Sequence, residues 1–269
     1  MLRYKETEDI DARFLEVDRI CQAWRTRIAS INPSMRTEFL QRFRISLIHH
    51  DAALEGEVLS YSEIKAAIDP TIISDPSLIP AYDEIRRFNE ACEWADEFAT
   101  NKKKPFKFET LREIYGILAP EEKAKGLPYR KENPLHRLYY HDIAAPEKIV
   151  PALKKLAEWI DDPSTKQLHP IERIAGLHAR FMAVFPWAKE SGRTARIAAN
   201  LLLTEAGYPT AVIHSIDRQR YYESLRGEAT GVLSLYLEAV QTSAETELRL
   251  YEEAEKSAPR KRKRESSRA

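Results

Sequence analysis

A chain of 269 residues can bury a core as one large domain or two small ones. Its 42 basic and 42 acidic residues cancel, so no overall field draws it to nucleic acid or to an anionic membrane. A hydrophobic share of 43% with 31% charged residues fits a soluble globular protein, and no apolar run approaches the length of a membrane span.

Residues 1–6 carry no signal-peptide core. Ile10, Phe14, Val17, Cys21, Trp24 and Ile28 step by three and four along one helical stripe. Cys21 and Cys92 are the only cysteines and have no metal-ligand spacing, so both are expected as apolar helix residues in a reducing cytoplasm. Residues 68–80 contain three prolines and predict a loop. Residues 126–146 set Tyr129, Leu135, Leu138 and Tyr140 among basic and polar residues, which predicts an extended loop or short hairpin. Ile149, Leu153, Leu156, Ala157 and Ile160 form a second stripe, and Ile171, Ile174, Leu177, Phe181 and Phe185 a third that opens on His169-Pro170. From Arg193 to Ala206 apolar residues lie almost all round, as in a buried central helix, and Gly207 and Pro209 stop it. Residues 221 to about 255 are helical again, and 257–269 form a basic, disordered tail with Arg260-Lys261-Arg262-Lys263-Arg264.

Chemistry concentrates in Phe185-Pro186-Trp187-Ala188-Lys189-Glu190-Ser191-Gly192-Arg193-Thr194-Ala195-Arg196. A helix start leaves backbone N–H groups without intrahelical partners, and its dipole favours an anion there. In Ser191-Gly192-Arg193, Gly192 lets that backbone come close to a ligand, and Arg193 and Arg196, three residues apart, can fork onto phosphate oxygens. Lone histidines offer less. His49-His50 and His141-Asp142 lack a second ligand pair, so surface or capping roles are expected, and His178 is expected as a satisfied core histidine. Trp187 is expected mainly in the core, with walling of the cleft as its alternative role.

The order from His169-Pro170 through this loop to Ala206-Gly207-Tyr208-Pro209 resembles the Fic (Fido) family, whose signature runs H-P-F-x-(D/E)-G-N-G-R-x-x-R. The likeness is most specific over residues 169–209 and weaker over about 46–239. It implies an all-α fold with a small hairpin-like flap at 126–146. It divides the chain into an N-terminal helical segment at 1–105, a Fic core at 106–240, a C-terminal helix at 241–256 and the tail. Most family members transfer AMP from ATP to a hydroxyl of a target protein. Phe185 stands where the family has its catalytic histidine, and a phenyl ring accepts no proton. Lys189 stands where an acid holds Mg²⁺, and a cation there argues against the metal. Glu190 and Ser191 alter the glycine-rich cradle. Pro186, Gly192, Arg193 and Arg196 are retained.

Upstream, Asp51-Ala52-Ala53-Leu54-Glu55-Gly56 resembles the family's inhibitory motif, (S/T)-x-x-x-E-(G/N), with Asp51, a residue able to cap a helix, in place of the hydroxyl. The resemblance implies a Glu55–Arg196 pair, which reads equally as an inhibitor of nucleotide entry or as a pair joining two helices. Tyr222 is the candidate adenine-side contact. Arg130, Lys131, His136 and Arg137 either favour an acidic peptide at the flap or form an ordinary solvated face.

Three functions stay open. The first is a pseudoenzyme or regulatory module that binds ATP or another nucleotide through Ser191, Gly192, Arg193 and Arg196. The second is an active nucleotidyl- or phosphotransferase with Glu190 as base and Lys189 in place of metal. The third is an interaction module with a closed pocket. The resemblance also implies a target protein at the flap and allows a homodimer; it implies neither a membrane nor a nucleic acid partner.

Overall fold

The computed structural model describes residues 10–69, 79–101, 104–134, 141–227 and 229–257. Among them the secondary structure is helical, without a strand: α1 (Ile10–Ala29), α2 (Pro33–Glu55), α3 (Tyr61–Ile68), α4 (Ile79–Thr100), α5 (Phe108–Leu118), α6 (Pro120–Lys123), α7 (Ile149–Asp161), α8 (Pro170–Val184), α9 (Ser191–Glu205), α10 (Arg218–Ser224) and α11 (Ala229–Ser257). The all-α fold class holds.

Local chemistry sets the ends that matter for the site. Asn32 caps α2 by accepting from the Ser34 N–H at 2.9 Å, and Pro33 occupies the first turn, where its missing N–H costs nothing. Gly56, at φ 95°, closes the helix in the left-handed conformation that suits glycine. Ser60 and Glu63 form a reciprocal capping box on α3. The His169 ring caps α8 by accepting from Ile171 N–H at 3.3 Å, with Pro170 next.

α9 runs through the centre, packed against α4, α5 and α8, while α11 lies along α1 and α8. Residues 191–199 of α9 are all buried, which explains its apolar composition on every side. α2 makes fewer contacts and rests on α3, α4 and the turn at Ser215–Asp217.

The helical stretch expected over residues 221 to about 255 is made of two elements: α10 ends at Ser224 and α11 begins at Ala229, with Gly227 between. α11 then runs unbroken through position 240, so the core and the C-terminal helix share one element. Residues 70–78 of the proline-rich loop, the flap residues Leu135, His136, Arg137, Leu138 and Tyr140, residues 1–6 and the tail with Arg260–Arg264 lie outside the described residues. Among the described residues no helix is long and apolar enough to cross a membrane. Cys21 and Cys92 are buried and free.

Candidate functional site

The signature loop joins the C-terminus of α8 to the N-terminus of α9. Phe185 ends α8 at φ 45° and Glu190 caps α9 at φ 59°. Each is a non-glycine residue in left-handed conformation, a strain of roughly 1–2 kcal/mol. Arg130 offsets it at the first position. Its Nε donates to Phe185 O at 2.7 Å, Nη2 donates to Val184 O at 3.2 Å and to Ala144 O, and Nη1 donates to Asn133 Oδ1 at 2.5 Å. The guanidinium thus collects the carbonyls that α8 leaves unsatisfied. Burial lowers its proton affinity. Backbone bonds Arg130 N–H to Pro186 O at 3.0 Å and Ala144 N–H to Ala183 O at 2.8 Å fasten one side of the flap segment to the loop and the other to the last turn of α8. Arg130 is therefore a buried staple, not a basic docking residue. Lys131 is exposed.

Phe185 is buried, edge-on to His141 with ring centroids 6.2 Å apart. The His141 imidazole itself is anchored through Nε2 to Met182 O at 3.0 Å. Trp187 is fully buried and stacks on Tyr115 at 4.0 Å, so it is core. Lys189 is exposed. Ser191 braces the loop: its hydroxyl donates to Trp187 O at 2.8 Å and accepts from Trp187 N–H at 3.0 Å.

The arginines converge on α2. Arg196 Nη2 donates to Glu55 Oε1 at 2.8 Å, the pair implied by the resemblance. Asp51 does more. Its Oδ2 accepts from Arg196 Nε at 2.6 Å, its Oδ1 accepts from Arg196 Nη2 at 3.0 Å, and Oδ1 also faces Arg193 Nε at 3.4 Å. Asp51 caps no helix start; it lies one turn before the end of α2, on the face that carries Glu55. Arg193 Nη2 donates to Glu57 Oε2 at 2.8 Å and Nη1 to Glu190 Oε1 at 3.2 Å. Glu57 and the bridging role of Asp51 were missed in sequence; the four-residue spacing of Asp51 and Glu55 was the available signal.

Four carboxylates thus surround two guanidinium groups. Burial disfavours the Arg196 charge, but Asp51, Tyr221 and Glu55 outweigh it and hold the proton well above the usual range. Arg193 is likewise raised against burial by Glu190, Asp51, Glu57 and Glu55. Burial first, then Glu55 and Asp51, raises the Glu190 carboxyl despite Arg193.

Behind Arg196, Tyr221 Oη accepts from Nη1 at 3.3 Å and meets His178 Nε2 at 3.0 Å, while His178 Nδ1 meets Tyr236 Oη at 2.9 Å. His178 is the satisfied core histidine expected. Tyr222 is buried and donates to Leu54 O at 2.9 Å, and Leu54 packs among Tyr221, Tyr222, Ile213 and Leu235. The last turn of α2 therefore presses on both the arginines and the tyrosine pair. The space beside Asp51, Leu54 and Arg196 is about 10 Å³, room for at most one water. A cleft of about 860 Å³ lies further along α2, lined by Arg36, Leu40, Arg44, Asp96 and Thr204, and none of residues 185–196 borders it. Among the described residues no group of three or more His, Cys, Asp or Glu could hold a metal.

A buried helix start carrying paired arginines, fed by a Pro-aromatic loop and faced by a glutamate-ending helix, defines a Fic-type helical domain. Residues 105–203 match the model of the Fic/DOC family. The chain is 26% identical over 213 residues to protein adenylyltransferase fic-1 of Caenorhabditis briggsae, covering 76% of this chain and 40% of that protein. It is 23% identical over 210 residues to protein adenylyltransferase Fic of Culex quinquefasciatus, covering 77% of this chain and 41% of that one. The chain therefore spans about two fifths of the length of these relatives. A Fic-domain-containing signaling protein of Bacteroides thetaiotaomicron shares the fold with TM-score 0.74 at 21% identity, over 91% of this chain and 98% of that one. A Fic-1 fragment of C. elegans shares it with TM-score 0.72 at 20% identity, over 93% and 75%.

Proposed function

We propose that the chain is a nucleotide- or phosphate-binding Fic pseudoenzyme that acts by engaging a partner rather than by transferring AMP. One observation carries the reading: the paired arginines are built into a buried, heavily supported site, while Phe185, at the head of the loop that leads to them, is an aromatic ring in the core. AMP transfer to a hydroxyl needs a proton acceptor within hydrogen-bond reach of that hydroxyl, and Phe185 supplies none. Lys189 offers a positive charge where a metal-holding acid would be needed. Arg193, Arg196 and the N–H groups of Ser191 and Gly192 suit phosphate oxygens once the carboxylates that now occupy the guanidinium groups are withdrawn. The relatives named as adenylyltransferases make ATP the first nucleotide to test, and the flap segment anchored by Arg130 is the proposed place for a partner protein.

The second reading, a transferase that uses Glu190 as base and Lys189 as phosphate clamp, draws on the raised proton affinity of Glu190 beside the arginines. Incubation with α-labelled ATP, with and without Mg²⁺, separates the two. The pseudoenzyme reading predicts no covalent label on the chain or on added lysate proteins. Robust labelling that disappears in Glu190→Gln would establish the transferase instead.

A further inference from the structure

The geometry assigns to Asp51, not Glu55, the principal hold on Arg196, with a further ion pair to Arg193. Of the carboxylates at the site, Asp51 is the one that touches both guanidinium groups. It engages Arg196 through two parallel bonds, the fork arrangement that fixes a guanidinium in both position and plane. Glu55 makes a single bond to Arg196, and Glu57 and Glu190 reach Arg193 alone. Burial follows the same order: the side chain of Asp51 is 3% exposed, that of Glu55 16% and that of Glu57 43%. A buried, bidentate, shared carboxylate is screened least and has the least freedom to swing away.

Release of Glu55 alone therefore leaves Arg196 clamped in its present plane and leaves the Asp51 carboxylate bonded to it. A nucleotide polyphosphate approaching Arg196 meets that charge at close range, so opening requires α2 to move away as a body. Asp51 and Glu55 lie on successive turns of one helix, and Leu54 seats the same turn among the tyrosines. Displacing α2 withdraws both carboxylates together.

The test compares wild type, Glu55→Gly, Asp51→Ser, Asp51→Asn and the double variant Asp51→Ser/Glu55→Gly. Exchange of the Arg196 Nε–H, followed by arginine-labelled NMR without nucleotide, decides the hold itself. In Glu55→Gly the Arg196 Nε–H should exchange within about twofold of wild type, because Asp51 still accepts it. In Asp51→Ser or Asp51→Asn it should exchange at least tenfold faster. Glu55→Gly removes a partly exposed group and remains decisive if an Asp51 variant folds poorly. Fast exchange in Glu55→Gly, or unchanged exchange in a folded Asp51 variant, overturns the assignment.

Calorimetric titration with ATP adds the functional consequence, which rests on the nucleotide reading above. The double variant should bind at least tenfold more tightly than Glu55→Gly. Equal binding by the two overturns the role of Asp51 in nucleotide exclusion. No binding by any variant, with the NMR result as expected, overturns the nucleotide reading and leaves Asp51 as the arginine clamp.

Discussion

A methyl group added at Gly192 would lie 2.5 Å from Glu55 Oε1 and 3.0 Å from Arg196 Nη1. That glycine keeps open the space at the start of α9 which a phosphate oxygen would use, and the Glu55 carboxylate fills it. Gly192→Ala should therefore push Glu55 off Arg196 while lowering stability by about 1–3 kcal/mol through overpacking. Chemical denaturation checks the loss, and a crystal structure of the variant checks the displaced carboxylate. Retention of the 2.8 Å Glu55–Arg196 bond would contradict this reading of the turn. At this scale the sequence made part of the site legible. Arg193, Arg196 and Glu55 stood out because their types and order match a motif. Glu57 did not, because an isolated glutamate after a helix-ending glycine resembles any solvated loop charge. Asp51 looked like a cap because aspartate often is one; its position inside a long helix, facing two arginines far along the chain, depends on tertiary packing.

The elements around the loop show how the chain sustains two left-handed residues. The Arg130 guanidinium gathers carbonyls from the end of α8 and from both arms of the flap segment, with no carboxylate bonded to it among the described residues. Arg130→Met should cost roughly 2–4 kcal/mol, since several buried carbonyls lose a charged donor at once. The readouts are a lower denaturation midpoint and faster amide exchange at Arg130 and Ala144, whose N–H groups bond the loop and the last turn of α8. A loss within 0.5 kcal/mol, on the order of an ordinary surface change, would mean that the staple is dispensable. The apolar stripes of α1, α7, α8 and α9 were readable because each repeats at helical spacing over several turns. The break between α10 and α11 was not, since Tyr221, Leu225 and Val232 keep the helical rhythm across it and Gly227 and Gly231 are alike in sequence although only Gly227 lies in the break. The flap read as basic because burial cannot be seen in a sequence, and Arg130 turned out to face backbone rather than solvent.

Across the whole molecule, the tie between α2 and the core has a pH signature. His50 on α2 is brought down to about 4 by burial, then by His214 and His49, and it accepts from Ser215 N–H at 3.2 Å. His178 is brought down to about 3 by burial, then by Arg196. Both rings stay neutral in the folded chain over a range where unfolded histidines, near 6.5, take up protons. Their contribution to stability is complete above about pH 6.5 and is lost as pH falls toward 4. The denaturation midpoint of wild type should fall from pH 7 to pH 5, and His50→Gln should flatten that slope. Identical slopes for the two proteins would contradict the assignment. The proposed function joins two buried features, the paired arginines Arg193 and Arg196 and a phenyl ring at position 185 that accepts no proton. The direct measurement uses the unlocked Asp51→Ser/Glu55→Gly variant with α-labelled ATP, counting label on the native protein and again after denaturation. The account predicts label that is bound to the native chain and wholly released by denaturant, whereas near-stoichiometric label surviving denaturation would contradict it.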